Sequence, residues 1–186
     1  MQKRNVCWAV FFVLTAVIGC AGCDLSQMPS GSNTQSAAPG KQVSYDNILA
    51  TRVVDGDTLK LENGQRVRLI GVDTPEVYES VKLYRDAQRS GQDIATIKAL
   101  GKRSSKFTKE LVQGKAVRLE FDVEKKDKYG RLLAYVYLLD GTFVNAEIIK
   151  QGYASMLTYP PNVKHVELFE KLYQEARDNH RGLWSK

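Results

Sequence analysis

Past residue 23 the chain has no cysteine. All three, Cys7, Cys20 and Cys23, lie in the N-terminal stretch, so the folded part can hold neither a disulfide framework nor a thiolate metal site. The Cys20-x-x-Cys23 spacing lacks the second half that a zinc site would need. Histidine is scarce too: His165 and His180 are the only two, in or near the last predicted helix and away from every motif. They are read as structural or exposed residues. Charge is absent from residues 6–19, and apolar side chains are nearly absent from residues 24–41. Neither stretch reads as part of a globular core.

What is present at the N-terminus is a basic start (Lys3, Arg4), an apolar run, and small residues after it, the layout of a secretory signal peptide. Its end, Val17-Ile18-Gly19-Cys20, resembles the bacterial lipobox, in which the cysteine is lipidated and becomes the new N-terminus. Cys20 is therefore the expected lipid-attachment residue, with Cys23 as the second candidate and an uncleaved anchor as the alternative. The expected organisation is a signal peptide at 1–19, the lipidated cysteine and a flexible linker at 20–42, and one domain at 43–186. The Ser-, Gly- and Pro-containing linker would span on the order of 25 Å, enough to hold the domain clear of a membrane surface. The whole chain carries 27 Lys+Arg against 21 Asp+Glu. Setting aside Lys3, Arg4, Lys41 and Asp24 leaves the domain at about +4, a weak pointer to a polyanionic partner.

Periodicity gives the coarse structure. Residues 45–61 and 66–72 alternate polar and apolar, joined by Glu62-Asn63-Gly64-Gln65, a strong hairpin signal. Residues 116–121 and 132–138 also read as strands, with Asp140-Gly141 marking the next turn. Ile94, Ile97, Leu100, Ser104, Phe107 and Leu111 recur at helical spacing, with Asp93 as N-cap and Gly114 as stop. A short helix is expected at 144–151, and Val166, Phe169, Leu172, Tyr173 and Ala176 mark a final one. The order of three strands, helix, two strands and two helices suggests a small closed barrel carrying helices, of which the OB-fold is one type. Residues 77–92 read as a solvated surface excursion.

The acids need another explanation than strand propensity, because Asp is disfavoured inside strands. Asp55-Gly56-Asp57 resembles the start of an EF-hand, yet the sixth position is Lys60 rather than Gly and the twelfth Arg66 rather than Glu. That loop is excluded. A hairpin beginning near Asp57 can instead return Asp73-Thr74-Pro75-Glu76 to the same rim, where Pro75 ends the strand. Carboxylates from two segments then suit a hard divalent cation with oxygen ligands. Arg68, on the strand leading to that rim, and Arg131, after the turn Asp127-Lys128-Tyr129-Gly130, add two guanidinium forks. With the acids they point to phosphoryl chemistry, since a phosphodiester's transition state gathers charge on oxygens that Arg can hold bidentately.

VVDGDT, VRLIGVDTPE and DKYGR, in this order, resemble the staphylococcal nuclease family, and the likeness continues through VNAEIIKQGYA to RGLWS, from about residue 47 to residue 184. The resemblance implies an α+β fold: a five-stranded OB barrel with three helices. It implies that Asp57, Asp73 and the Thr74 carbonyl bind Ca²⁺, that Arg68 and Arg131 hold the scissile phosphate, and that Glu76 activates or orients the attacking water. Lys128, Tyr129 and, more loosely, Tyr159 fall where the family contacts nucleotide phosphate or base. Asp55 is not a metal ligand in the family and is read as support for the turn. The substrates would be DNA and RNA, cut to leave 3′-phosphate ends. No protein partner is implied, so a monomer tethered to a cell-envelope membrane is expected. The segment between Glu76 and Phe107 is longer than in the family.

Two other readings compete. One is a catalytically silent OB-fold lipoprotein that binds single-stranded nucleic acid. The other is a structural lipoprotein whose acids are turn residues, which leaves the spacing of Arg68 and Arg131 to chance.

Overall fold

Asn63 and Gly64 form the turn that the alternation around them predicts: Gly64 has φ +83°, and Gly64 N donates to Leu61 O at 3.0 Å. The turn joins two strands of a barrel seen in a computed structural model of the protein, which describes residues 43–185. The signal peptide, Cys20 and linker expected at 1–42 lie outside the described residues.

The long alternating stretch before the turn holds two strands, as the count of three before the first helix requires. β1 (Ile48–Asp55) carries irregularities after Ala50 and Val53, then reverses at Gly56-Asp57 into β2 (Thr58–Leu61). β3 (Arg66–Leu69) pairs antiparallel with β2, and β4 (Val72–Asp73) follows at once. Two helices come next, α1 (Val81–Ser90) and α2 (Ile94–Val112). Then β5 (Ala116–Glu120), β6 (Leu132–Leu138), α3 (Val144–Lys150), β7 (Ser155–Met156) and α4 (Val166–Asp178) complete the order. A 3₁₀ turn at Gly182–Trp184 closes it. The strands close a barrel in the order β1-β2-β3-β6-β5, antiparallel throughout except the parallel β3–β6 seam, while β4 and β7 form a separate antiparallel pair.

The five-stranded barrel is the one expected; the helices number four among the described residues, not three. The additional helix is α1, inside the segment read as a solvated excursion. Ser80 caps it by accepting from Leu83 N at 3.1 Å, and Gly91 ends it in the left-handed region. Leu83 is its one buried side chain. No helix among the described residues is long and apolar enough to cross a membrane.

The barrel core is built from alternating positions: Leu59 and Leu61, Val67 and Leu69, Val117 and Leu119, Leu132, Ala134 and Val136. Tyr135 points the other way, under α3 and α4, with its ring edge-on to Phe143 and His165 and its hydroxyl donating to Asp122 at 3.1 Å. Asn145 on α3 is fully buried yet satisfied, donating to Ile70 O at 2.8 Å and accepting from Val136 N at 2.9 Å. It ties α3 to the end of β3, just before the rim that carries the acids. The C-terminal turn is pinned from two sides. Leu183 N donates to Gly152 O at 2.8 Å and Arg103 to Gly182 O at 2.9 Å, while Trp184 lies edge-on to Tyr173.

Candidate active site

The rim forms because the β1–β2 turn and β4 approach closely. A Cβ at Gly56 would lie 2.7–2.8 Å from the Thr74 side chain, so only glycine fits there. Asp57 then faces Thr74: its Oδ2 accepts from Thr74 N at 3.3 Å and from Thr74 Oγ1 at 3.2 Å, and its Oδ1 accepts from Thr58 Oγ1 at 3.0 Å. Asp55 supports the turn as expected, its Oδ1 accepting from Asp57 N at 3.3 Å.

α2 holds both halves of the rim. Thr108 Oγ1 donates to Gly56 O at 2.9 Å. Two helical turns earlier, Gly101 lies against the next segment, where a Cβ would meet Pro75 O at 2.6 Å and Glu76 O at 2.7 Å. One helix therefore sets the positions of Asp57 and of Asp73 to Glu76.

Arg68 joins the acids. Its guanidinium lies 3.1 Å from Asp57 Oδ2 and 3.6 Å from Asp73 Oδ1, and donates to Val72 O at 2.6 Å. Desolvation works against the charged Asp57, but this guanidinium and the hydrogen bonds around it outweigh that and hold the carboxyl below its usual range. Asp55 behaves oppositely: burial, reinforced by the neighbouring Asp57 charge, pushes it up to about 7. Lys82, from α1, stands on the other side. Its ammonium contacts Thr74 O at 2.9 Å, Asp73 Oδ1 at 3.2 Å, Glu76 Oε1 at 3.3 Å and Asp86 Oδ2 at 3.6 Å. Burial opposes its charge, yet Asp73 and Glu76 prevail and raise its pKa.

The oxygens fit a hard divalent cation. Among the described residues no three His, Cys, Asp or Glu side chains converge closely enough to hold a metal by themselves. The converging set mixes side chains with backbone: Asp73 Oδ1, the Thr74 carbonyl and Glu76 Oε1 all contact one positive charge, the Lys82 ammonium. Two carboxylates and a carbonyl, with no nitrogen or sulfur, is a ligand set that suits Ca²⁺. Asp57 reaches this group through Thr74 and Arg68 rather than directly.

Arg68 also lines a cleft of about 820 Å³, together with Asp127, Lys128, Tyr129, Arg131 and Tyr159. Five of the residues expected around the substrate therefore share one concavity. Arg131 is held by Asp127, whose Oδ2 accepts from Arg131 Nε at 2.7 Å and whose Oδ1 accepts from the Tyr129 and Arg131 amides at 2.9 and 3.0 Å. Those bonds, chiefly with Arg131, keep the Asp127 carboxyl below its usual range against the cost of burial. The Tyr129 ring is exposed, with Lys128 and Arg131 at 5.1 and 5.6 Å from its centroid. Tyr159 is exposed as well. Asn162 fastens the cleft walls, accepting from Glu124 N at 2.8 Å and donating to Glu124 O at 2.9 Å. His165, as expected, is away from the acids, packed on Tyr135 and bonded to Glu120.

Sequence reasoning missed Lys82, Gly101 and Asn162. For Gly101 a signal existed: a glycine inside a long predicted helix costs about 1 kcal/mol relative to alanine and calls for a packing reason. Nothing in the sequence marks Lys82 or Asn162.

Residues 66–186 match the family model described as staphylococcal nuclease homologue. Among curated proteins, the chain is 41% identical over 144 residues to a thermonuclease of Staphylococcus intermedius, covering 76% of this chain and 77% of that protein. It is 36% identical over 137 residues to a thermonuclease of Staphylococcus hyicus, covering 72% and 73%. It is also 38% identical over 145 residues to the endonuclease YncB of Bacillus subtilis, of which it spans 62%.

Proposed function

The chain belongs to the staphylococcal nuclease family, and from that premise we propose that it is an exported, membrane-tethered, Ca²⁺-dependent endonuclease acting on DNA and RNA. It is a hydrolase, a nuclease of the micrococcal nuclease type. The finer reading has it leave 3′-phosphate ends.

One observation carries the proposal: the Arg68 guanidinium touches both Asp57 and Asp73 and also lines the cleft that holds Arg131. A phosphodiester lying in that cleft would have Arg68 and Arg131 on its non-bridging oxygens, where the two forks neutralise the charge that grows during in-line attack. Glu76 would accept a hydrogen bond from the attacking water, positioning it or taking its proton. Asp57 and Asp127 hold the two forks in place through their carboxylates. Asp57, Asp73 and the Thr74 carbonyl would bind Ca²⁺, which supplies Lewis-acid polarisation of a phosphate oxygen when bound. Lys128 and Tyr129 would receive a neighbouring nucleotide, the ring offering a face on which a base can stack.

The test is to incubate the full chain with DNA and with RNA, in Ca²⁺ or in excess chelator. Both polymers are expected to be cut in Ca²⁺ and spared in chelator, and Asp57→Ala or Asp73→Ala should weaken metal binding. Undiminished cleavage in chelator would rule out the metal role. Binding without cleavage under either condition would favour the silent single-strand-binding reading.

A further inference from the structure

The Lys82 ammonium occupies the point on which the Asp73, Thr74 and Glu76 oxygens converge. An ordinary surface ion pair involves two side chains and is worth little. Here one ammonium touches four oxygens from two segments, at 2.9, 3.2, 3.3 and 3.6 Å. Ca²⁺ held by Asp57, Asp73 and the Thr74 carbonyl would need two of these oxygens, those of Asp73 and Thr74. Both cations cannot occupy that point, because each must face the same oxygen lone pairs and like charges so close repel.

We propose that Lys82 is a tethered cation that competes with the divalent metal ion for the oxygens of Asp73 and Thr74, two of the three groups that would hold it, and ties up Glu76 beside them. Helix α1 is then a plug in the metal site, which metal loading displaces. The proposal rests on reading those oxygens as the metal site.

The build of α1 suits displacement. The helix has 10 residues, below the length at which an isolated helix is stable in water. Leu83 is its only buried side chain, while Val81 and Tyr84 are exposed. Besides Leu83, what holds α1 to the rim is Lys82. Exchanging that contact for a metal involves no strand of the barrel other than the rim that ends in Asp73. While the plug is in, the apparent metal affinity is lowered by the fraction of molecules whose oxygens are free. By reciprocity, bound metal must loosen α1 to the same degree.

The full chain is titrated calorimetrically with CaCl₂, and amide hydrogen exchange is followed over residues 81–90 with and without Ca²⁺. Lys82→Met keeps most of the side-chain length and removes the charge; it should tighten Ca²⁺ binding at least about tenfold, as expected for a plug closed nine-tenths of the time. Ser80→Ala alters no charge but removes the α1 cap, so it should tighten binding about two- to tenfold. In the wild type, saturating Ca²⁺ should speed exchange across residues 81–90. Equal or weaker binding by both variants, or unchanged exchange in α1, overturns the plug. If binding is still lost in Asp73→Ala, the metal site itself survives that result. Binding indifferent to Asp73→Ala, or absent from wild type and Lys82→Met alike, overturns plug and metal site together.

Discussion

Arg68 presents its guanidinium to two carboxylates and two backbone carbonyls, and its planar fork can also pair with two oxygens of one phosphate, which a point charge cannot do. Replacing Arg68 or Arg131 with Lys keeps the charge and loses the fork. Comparable arginines in phosphoryl transfer are worth on the order of 10³–10⁵ in rate, so each variant is expected to slow cleavage by at least about a hundredfold. Affinity for nucleic acid, measured with Ca²⁺ at fixed salt, should fall much less, because many other basic residues share the backbone contact. Equal losses in rate and affinity would count against the catalytic assignment, and near-normal cleavage by both variants would end it. The acids, Arg68 and Arg131 were legible because each sits in a short string whose residue types and spacing already imply a turn or a rim. Lys82 was not. A lysine on a mostly polar stretch says nothing about where its flexible four-carbon stem will deliver the charge, and that depends on carboxylates six and nine residues before it in a different element.

Among the elements, α2 determines the shape of the site, since Thr108 and Gly101 fix the two acid-bearing segments from one helix face. Gly101→Ala should therefore behave contrary to helix propensity. In a free helix interior the change would stabilise by roughly 0.5–1 kcal/mol. Here the added methyl meets the Pro75 and Glu76 carbonyls, and overpacking of that kind costs about 1–3 kcal/mol. A lower Tm together with slower cleavage is the expected outcome; a higher Tm with unchanged rate would remove α2 from this role. The periodicity of α2 was plain over 19 residues, and Asp93 caps it as the sequence suggests, accepting from Thr96 N at 2.9 Å. α1 escaped notice because one buried leucine makes no stripe. β4 and β7, two residues each, are too short for any alternation to show.

At the scale of the whole molecule, the barrel followed from strand spacing together with the family likeness. The parallel β3–β6 seam was not legible, since pairing direction is set by how the chain crosses the barrel and not by either strand's own residues. Location is tested with the intact precursor: labelled palmitate should enter the wild type and be lost in Cys20→Ser, with the mature protein partitioning into detergent. Label that persists in Cys20→Ser but leaves in Cys23→Ser would move the attachment site, and label in neither protein would leave a plain signal or an anchor. The C-terminal turn has a consequence for the order in which the domain closes. Gly182 and Leu183 bond to residues of α2 and the α3–β7 connection, so the last part of the domain to be synthesised is a clasp across its interior. Until residue 184 has been made, α2 and the α3–β7 connection lack that clasp, so the domain closes only once nearly all of it is available.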